Sequence, residues 1–389
     1  RSTATAKGGT GGLGDFAFPS ARMDANATVI TTVSATSIHA DGSLSITASA
    51  ATDRSAYADT YGGGGISVGE AHADTNVTAM TAVAIGDSTA LSSGLDLTVT
   101  ASSDHTVAAT AKSGGGGFVS GKIAETTARL TFTTSVAIGA RASLAAGRTL
   151  TVQGQSASTV NTRSETKSGG AGAGADSDNT NDDRGSITSG STTVTIGSGA
   201  VLTGDVVRIL AQVTRLAADA TARAEAYAVF VASAFANANV EVRSTAAVDI
   251  QGATTRITGL RGVDLLALQT GVNTTRNAWV RAIALIPPQH ASNEGSTQLT
   301  STMTSASKAL VTAGVRDGST LALDVQAFGT FTPRGSTGDS NTNTITWGAD
   351  VTILGGLRGS PQLVIDPHGY ITTLRGDIRV RTTSTFPSD

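Results

Sequence analysis

The stretch VAIGDSTALSSGLDLTVTAS at residues 83–102 decides the fold, because the chain repeats it at a regular interval. A close copy, VAIGARASLAAGRTLTVQGQS, occupies residues 136–156, and a more divergent one, VTIGSGAVLTGDVVRILAQ, occupies residues 194–212. Further copies lie at residues 33–49, 248–268 and 312–326. One apolar position of the repeat recurs at spacings of 53, 53, 57, 56 and 58 residues, at Leu44, Leu97, Leu150, Val207, Val263 and Leu321.

Clusters of glycine follow the same period. They begin at Gly8, Gly62, Gly114 and Gly169, which gives steps of 54, 52 and 55 residues. Glycine loses more backbone freedom on folding than any other residue, so a run of ordered glycines is costly. Because the costly run returns at one station of the unit, it indicates a structural requirement at that station.

Within each repeat the apolar residues alternate with polar ones, as in ARLTFTTSVAIG at residues 128–139. A period of two is typical of half-buried β-strands. A unit of strands that cannot bury its apolar face alone does so by stacking on copies of itself. The pattern therefore predicts an all-β fold, a parallel β-solenoid (β-helix) with little or no helix.

The domain organisation follows from the repeats. About six of them fill residues 1–330, and residues 331–389 are predicted to be a diverged β segment that continues the solenoid or serves as a linker. A unit of 53 to 58 residues is longer than one typical coil. Each unit therefore forms two or three coils, or one coil with a projecting hairpin, and the sequence leaves these alternatives open.

One segment favours a helix by composition and a strand by pattern. Residues 217–243, AADATARAEAYAVFVASAFANANVEVR, are rich in alanine, the best helix former. Alanine nevertheless occupies every second position from Ala218 to Ala228, and in a helix such residues would spread over all faces. We predict a strand.

Composition limits the classes of function. The 389 residues contain no cysteine, only 4% aromatic residues and a net charge of −3, which excludes thiolate chemistry and disfavours a large ligand pocket. The basic residues are scattered, so no nucleic-acid partner is predicted. No apolar run reaches the ~18 residues of a membrane helix, so no membrane-spanning segment is predicted.

The recurring glycines have two interpretations. Residues 9–14, GTGGLG, match the GxGxxG pattern of a phosphate-cradling loop, but that motif requires a strand before it and a helix after it, and no helix is evident. The recurrence favours a turn or tip at which successive backbones approach closely or take positive φ.

The later repeats replace these glycines by apolar residues around residues 224–229 and 280–285. We expect the station to lie at the periphery there too, because repeat units share one geometry. Either another element covers these side chains or they form a contact surface for a neighbouring chain. The predicted interface residues are Val229, Phe230, Val231, Phe235, Trp279 and Ile283.

Two short motifs resemble sites of chemistry. GEAHADT at residues 69–75 places Glu70, His72 and Asp74 on one strand face, which suits a metal or acid/base cluster or, more simply, a solvated face opposite an alanine-lined interior. GDSTA at residues 86–90 is similar to a serine nucleophile motif, but the next two repeats have GARAS and GSGAV at this station. A turn explains all three.

The acidic stretch GADSDNTNDDRG at residues 174–185 is the sharpest candidate metal site, for Ca²⁺, with Asp176, Asp178, Asp182 and Asp183 as ligands. Carboxylate oxygens in a flexible loop suit calcium, but the stretch lacks the spacing and closing glutamate of an EF-hand. The alternative is an insertion loop that lengthens the third unit. No other cofactor is predicted.

Solenoid enzymes that cleave polysaccharides place two or three carboxylates with Arg or Lys on one outer face. We find acids sparse inside the repeats and expect them not to stack at a common station. The prediction is a protein without catalytic activity, and a carbohydrate-active β-helix enzyme (polysaccharide lyase or hydrolase) is the alternative.

The shared pattern VAIGxxxxLxxGxxLTV of residues 83–99 and 136–152, with KSGGGG and KSGGAG after it, resembles the repeats of large bacterial adhesins of the leukotoxin and filamentous-haemagglutinin types. The resemblance implies a parallel β-solenoid at the bacterial surface or outside the cell, as part of a larger surface, filament or matrix protein. It implies a structural or adhesive function, with copies of the chain, neighbouring segments of a larger chain or surface glycans as partners.

Overall fold

The computed structural model describes residues 1–34, 37–178, 185–315, 321–329, 339–355, 362–368, 371–375 and 379–384. Every regular element in these ranges is a β-strand, and the strands pair in parallel. Within them no helix could cross a membrane. The predicted parallel β-solenoid is therefore confirmed.

The strands form two sheets of very different width. The wide sheet contains β1 (Ser2–Ala17), β2 (Ser20–Val33), β4 (Leu44–Ile85), β6 (Leu97–Ile138), β8 (Thr149–Asp178), β9 (Gly185–Ile196), β11 (Val206–Ile250), β13 (Val263–Gln269), β14 (Val272–Ile283), β15 (Gln289–Ser305), β17 (Leu321–Gly329), β18 (Ser340–Thr346), β20 (Gln362–His368) and β21 (Ile371–Arg375). The narrow sheet contains β3 (Ser37–Ala40), β5 (Ala90–Ser93), β7 (Ser143–Ala146), β10 (Val201–Gly204), β12 (Arg256–Gly259), β16 (Leu310–Gly314), β19 (Asp350–Gly355) and β22 (Arg379–Ser384).

Each repeat is one coil, made of one short strand of the narrow sheet and a path through the wide sheet, which is a single long strand in β4, β6 and β11 and two or three strands in the other coils. The repeat positions pair side by side, since Leu44 pairs with Leu97 and Leu97 with Leu150. The last marker needs a correction of two residues, because Val263 pairs with Leu323 and not with Leu321. Residues 340–346 and 350–355 pair with β15 and β16, so strands of the diverged segment extend both sheets.

The body of the solenoid encloses the largest apolar core. The short strands and the two ends of each long strand surround it, and equivalent residues such as Leu91, Leu144 and Leu202 are buried in successive coils. Trp347 is a fully buried member of this core, and its indole N–H donates to the carbonyl of Ala349 at 3.0 Å. Burial of these side chains is the main stabilising term, at roughly 25 cal/mol per Å².

A thin two-layered projection extends from the body. Each long strand runs outward in a first layer (residues 50–62 in β4), turns at the glycine station and returns in a second layer (residues 66–79). Alanine, serine and threonine fill the space between the layers, where hydroxyl pairs such as Ser103–Thr134 and Ser156–Thr192 meet at 2.6 Å. Small side chains let the two layers approach closely, which is why this composition produces a projection and not a thick core.

The alanine-rich segment at residues 217–243 is strand throughout, as predicted. Ala220, Ala222 and Ala224 are fully buried between the layers, while Thr221 and Arg223 point outward. Pairing of β11 with β8 on one side and β14 on the other satisfies its backbone, and this outweighs the helix propensity of alanine.

The glycine clusters lie at the tip of the projection, where the first layer turns into the second. Gly115 has a φ of +138°, and a Cβ there would overlap the carbonyl oxygen of Gly62 in the preceding coil. A Cβ on Gly62 would in turn overlap the carboxylate of Asp15. Close approach of successive backbones and positive φ thus explain the glycines, which confirms the interpretation as a tip.

The two ends of the projection differ. Strands β1 and β2 pair with β4 on one side, and no described strand pairs with their other edge. At the far end, β14 pairs with β11, and its Ala278 N–H donates to the side-chain oxygen of Asn293 at 2.9 Å. A side chain therefore covers part of that edge, a common protection of exposed strands against unwanted pairing.

Candidate functional site

A ladder of charged side chains runs along the outer face of the first layer. The parallel register places Asp59, Lys112, Glu165 and Arg223 side by side in four successive coils. Lys112 Nζ lies 3.3 Å from a Glu165 oxygen, and Arg223 stacks on Trp279 of the next coil with 4.5 Å from its guanidinium carbon to the ring centre. The expectation that acids do not stack at a common station was wrong, since Asp59 and Glu165 do so with basic residues interleaved.

Beside the ladder, toward the tip, lies an open groove of about 410 Å³. Its wall at one end is Tyr61, which is 72% exposed, and Gly114 leaves the next coil without a side chain. The remaining lining is polar and carries three acidic and three basic groups, namely Asp59, Glu165, Glu225, Lys112, Lys167 and Arg223. The groove is therefore close to electrically neutral.

The surroundings of Glu165 and Glu225 in the groove favour the ionised carboxylate. Burial opposes ionisation of Glu165, but hydrogen bonds and charges from Arg163 and Lys112 lower its pKa below the ordinary value. Burial likewise acts on Glu225, and its hydrogen bonds with Tyr227 and Arg223 nevertheless lower its pKa. A general acid needs the opposite shift, so these two glutamates are suited to ion pairing and not to proton donation.

The second layer carries a cluster on its own outer face. His72 Nε2 lies 2.6 Å from a Glu70 oxygen, and its Nδ1 lies 2.8 Å from an oxygen of Glu125, the residue that pairs with His72 in the next coil. The hydrogen bond to Glu125 raises the pKa of His72, with a further contribution from Glu70, against the lowering effect of burial. Ala71 and Ala73 are buried beneath it, as predicted for an alanine-lined interior.

The other predicted acidic residues lie apart. Asp74 pairs in register with Arg22 and Thr127 and is not part of the three-residue cluster. Of the calcium candidates, Asp176 faces outward from the second layer next to Ile123. Asp182, Asp183 and the side chain of Asp178 lie outside the described residues, so the calcium prediction stays a prediction.

Inside the tip lies a second polar group. Lys122 is almost fully buried, and its Nζ donates to Ser67 Oγ at 2.7 Å. Burial lowers the pKa of Lys122, while the charge of the nearby buried Asp15 acts in the opposite direction. The group is closed off from solvent and holds neighbouring coils together at the turn.

The tip itself is an exposed apolar surface, which we call the crest. Four of its members are strongly exposed: Leu13 (92%), Phe118 (71%), Phe230 (60%) and Leu285 (80%). The neighbouring positions pair between successive coils, with Ile66 beside Val119 and Val231 beside Ile286. The complete set is Leu13, Ile66, Phe118, Val119, Val229, Phe230, Val231, Leu285 and Ile286.

All six predicted interface residues are exposed, but they do not form one patch. Val229, Phe230 and Val231 lie on the crest, and Ile283 adjoins it. Phe235 pairs with Asp176 on the outer face of the second layer, and Trp279 pairs with Arg223 on the opposite outer face. The patch therefore continues along the tip to Leu285 and Ile286, and not down the flanks.

Comparisons with known proteins add no relative: no family model, no curated protein and no solved structure matches the chain. The class of protein defined by the fold is a parallel β-solenoid with a two-layered projection.

Proposed function

We propose that the chain is a non-catalytic structural or adhesive β-solenoid that works outside the bacterial cell as part of a larger surface, filament or matrix protein. The observation that carries the proposal is the crest, a line of exposed apolar side chains along the tip of a projection. Soluble monomers rarely leave a contiguous apolar surface of this kind in water, and such surfaces mark interaction sites. The resemblance of the repeats to adhesin repeats supports the cellular setting.

A second copy of the chain is the partner we propose for the crest. The nine crest residues include no charged side chain, so two crests would meet without repulsion. One bare coil interrupts the crest, because Phe118 and Val119 stand next to a coil with Ala171 and Gly172. A bulky coil of one copy can fill the gap that this bare coil leaves in the other, which gives the complementarity that an interface core requires.

Surface glycans are the second class of partner, and the groove beside Tyr61 is the place for them. An exposed aromatic ring next to a neutral set of paired charges offers an apolar platform with polar groups around it. A Tyr61→Ala variant should lose glycan binding on an immobilised glycan panel, while a Tyr57→Ala variant, which changes a half-buried tyrosine of the same strand, serves as the control.

One observation favours the alternative of a carbohydrate-active enzyme, because the stacked carboxylates Asp59 and Glu165 border a groove. The lowered pKa values of Glu165 and Glu225 argue against it, since a glycosidase needs one carboxyl kept protonated. Incubation with a panel of polysaccharides decides the question: new reducing ends or unsaturated products that vanish in Glu165→Gln would establish the enzyme.

The proposal as a whole is tested by electron microscopy of the purified chain in negative stain. We expect rods joined in pairs or bundles along the edge formed by the projection. Rods that stay separate at all concentrations, or that join through the narrow sheet instead, would contradict the role assigned to the crest.

A further inference from the structure

The cluster of Glu70, His72 and Glu125 plays no part in the proposed function, yet it is an assembled set of ligands. Two carboxylates and one imidazole place their donor atoms within 4.8 Å of one another. The side chains come from two different coils, since Glu70 and His72 belong to β4 and Glu125 belongs to β6. Parallel pairing of His72 with Glu125 fixes their relative position.

Access to solvent differs between the two sides of the imidazole. The side chain of Glu70, next to Nε2, is 30% exposed, whereas that of Glu125, next to Nδ1, is 13% exposed. An ion arriving from solvent therefore meets Nε2 and Glu70 first. Glu125 is placed to accept a hydrogen bond from the Nδ1–H group on the less exposed side and so to hold the ring in one tautomer, which is the usual support of a metal-bound histidine.

The charges also match an ion. Two carboxylates with a neutral imidazole carry two negative charges, which one divalent cation balances. Ser20 is the register neighbour of His72 on β2, and Asp74 and Asp176 on the same face are acidic. The basic residue of this face near the cluster, Arg22, is in register with Asp74 and is paired with Asp24 at 2.7 Å, so it does not balance the charge of Glu70 and Glu125. Imidazole with carboxylate suits Zn²⁺ and similar transition metals, whereas Ca²⁺ prefers oxygen ligands alone.

We propose that the outer face of the second layer holds a binding site for a divalent transition-metal ion of the Zn²⁺ type, with His72 Nε2 and Glu70 as ligands and Glu125 as the residue that orients the imidazole. Water completes the coordination. The ion takes the place of the proton shared between His72 and Glu70, so binding releases a proton. Ligands of a tetrahedral zinc site are about 3.3 Å apart for bonds of about 2.0 Å, so Glu70 must withdraw by less than about 1 Å from its present hydrogen bond.

The site is tested by titration of the whole chain with Zn²⁺ in a calorimeter and with Co²⁺ in a visible absorption spectrometer. We expect one ion per chain, tighter binding as the pH rises, and more protons released per ion at about pH 6.5 than at about pH 8.5. Two buffers of different ionisation heat measure the proton release.

Variants of the three residues should differ in how much Zn²⁺ affinity they lose. His72→Gln and Glu70→Gln should abolish the saturable binding, and Glu125→Gln should weaken it about 10- to 100-fold, the range for partners of a metal-bound histidine. His39→Gln is the matched control, because His39 is also a surface histidine beside a carboxylate, with 3.2 Å from its Nε2 to Asp41. His39, Glu70 and His72 are partly exposed and Glu125 is largely buried beside them, so the β spectrum by circular dichroism verifies that each variant folds.

Three results would overturn the proposal. They are the absence of saturable binding up to about 1 mM Zn²⁺, a weakness beyond which no specific site is claimed, unchanged affinity in His72→Gln, and loss of binding in His39→Gln equal to that in His72→Gln. Because the titration does not depend on association of the chain, its failure leaves the role of the crest untouched.

Discussion

Replacing Gly115 by alanine tests the explanation of the glycine tip. Gly115 has a φ of +138°, and a Cβ there would overlap the carbonyl oxygen of Gly62. A residue with a side chain at such a φ costs on the order of 1 to 3 kcal/mol. Overpacking against a backbone oxygen costs a similar ~1 to 3 kcal/mol. The folded tip of the variant should therefore be destabilised by about 2 to 6 kcal/mol.

Gly121→Ala is the matched control for this experiment. Gly121 lies in the same strand, just beyond the tip, and a Cβ there would meet nothing within 4 Å. The control should leave stability within about 0.5 kcal/mol of the parent chain, as surface substitutions usually do.

Hydrogen exchange read by mass spectrometry is the appropriate assay, because repeat arrays open locally and a global melting temperature would hide the effect. Gly115→Ala should accelerate exchange in peptides that cover residues 60–66 and 113–119, while the body strand at residues 97–101 stays protected. If Gly115→Ala and Gly121→Ala exchange alike at the tip, the close approach of backbones does not explain the glycines.

Three further predictions concern charges and ions. The folded-state pKa of His72 is raised, so the stabilisation from its protonated form is complete below the unfolded pKa of about 6.5 and is lost as the pH rises through the folded-state pKa. Urea unfolding at several pH values should therefore show that the unfolding free energy of His72→Gln lacks this loss of stability. If the unfolding free energies of His72→Gln and of the parent chain depend on pH in the same way, the prediction is wrong. Lys122→Met should destabilise the tip by about 3 kcal/mol, because Asp15 stays buried without a nearby positive charge. Adding Asp15→Asn to Lys122→Met should restore part of that stability. The unfolding free energies of the single and double variants measure both effects, and a loss in the double variant equal to the sum of the losses in the single variants would contradict the coupling. Chelation of calcium by EGTA should leave the melting temperature unchanged, because no repeated station carries the acidic stretch at residues 174–185; a marked drop would show that this stretch binds a structural ion.

The fold could be predicted from the sequence because, in a parallel solenoid, the length of the repeat equals the sequence separation of residues that pair in neighbouring coils. The spacing of 53 residues between Leu44, Leu97 and Leu150 is the spacing of directly paired residues. The last marker failed because the register partner of Val263 is Leu323, so that coil is two residues longer than the spacing to Leu321 indicates. The number of coils per repeat could not be predicted, since a strand that crosses a tip keeps its alternation on both sides.

From the sequence, Glu70 and His72 could be placed on one face, but the partners that neighbouring coils add to the outer-face clusters were missed, although their signal was present. Glu125 follows His72 by 53 residues, and Lys112 follows Asp59 by the same interval. Comparing only the acidic positions of successive repeats does not reveal a ladder in which acidic and basic residues alternate from coil to coil. Adding the repeat length to each charged position would have revealed both clusters.

The crest was predicted in part, for a physical reason. The prediction rested on the glycines and located apolar replacements in later repeats. Phe118 and Val119 follow directly after the glycines of residues 114–117 in an early repeat, so the same strand supplies both the close backbone approach and the exposed side chains. A turn at the tip exposes consecutive residues, which alternation along a strand does not reveal.

Sedimentation velocity of the chain and of a crest variant, Phe230→Ser with Leu285→Ser, tests the central claim most directly. Two apolar side chains buried in an interface contribute at least about 1.5 kcal/mol each, so the variant should associate about 100-fold more weakly than the parent chain, with its β spectrum unchanged. Phe235→Ser, which removes an exposed phenylalanine from the flank, should associate like the parent. A parent chain that stays monomeric up to about 100 μM, where even weak specific pairs form, or a crest variant that associates as tightly as the parent, would contradict the account.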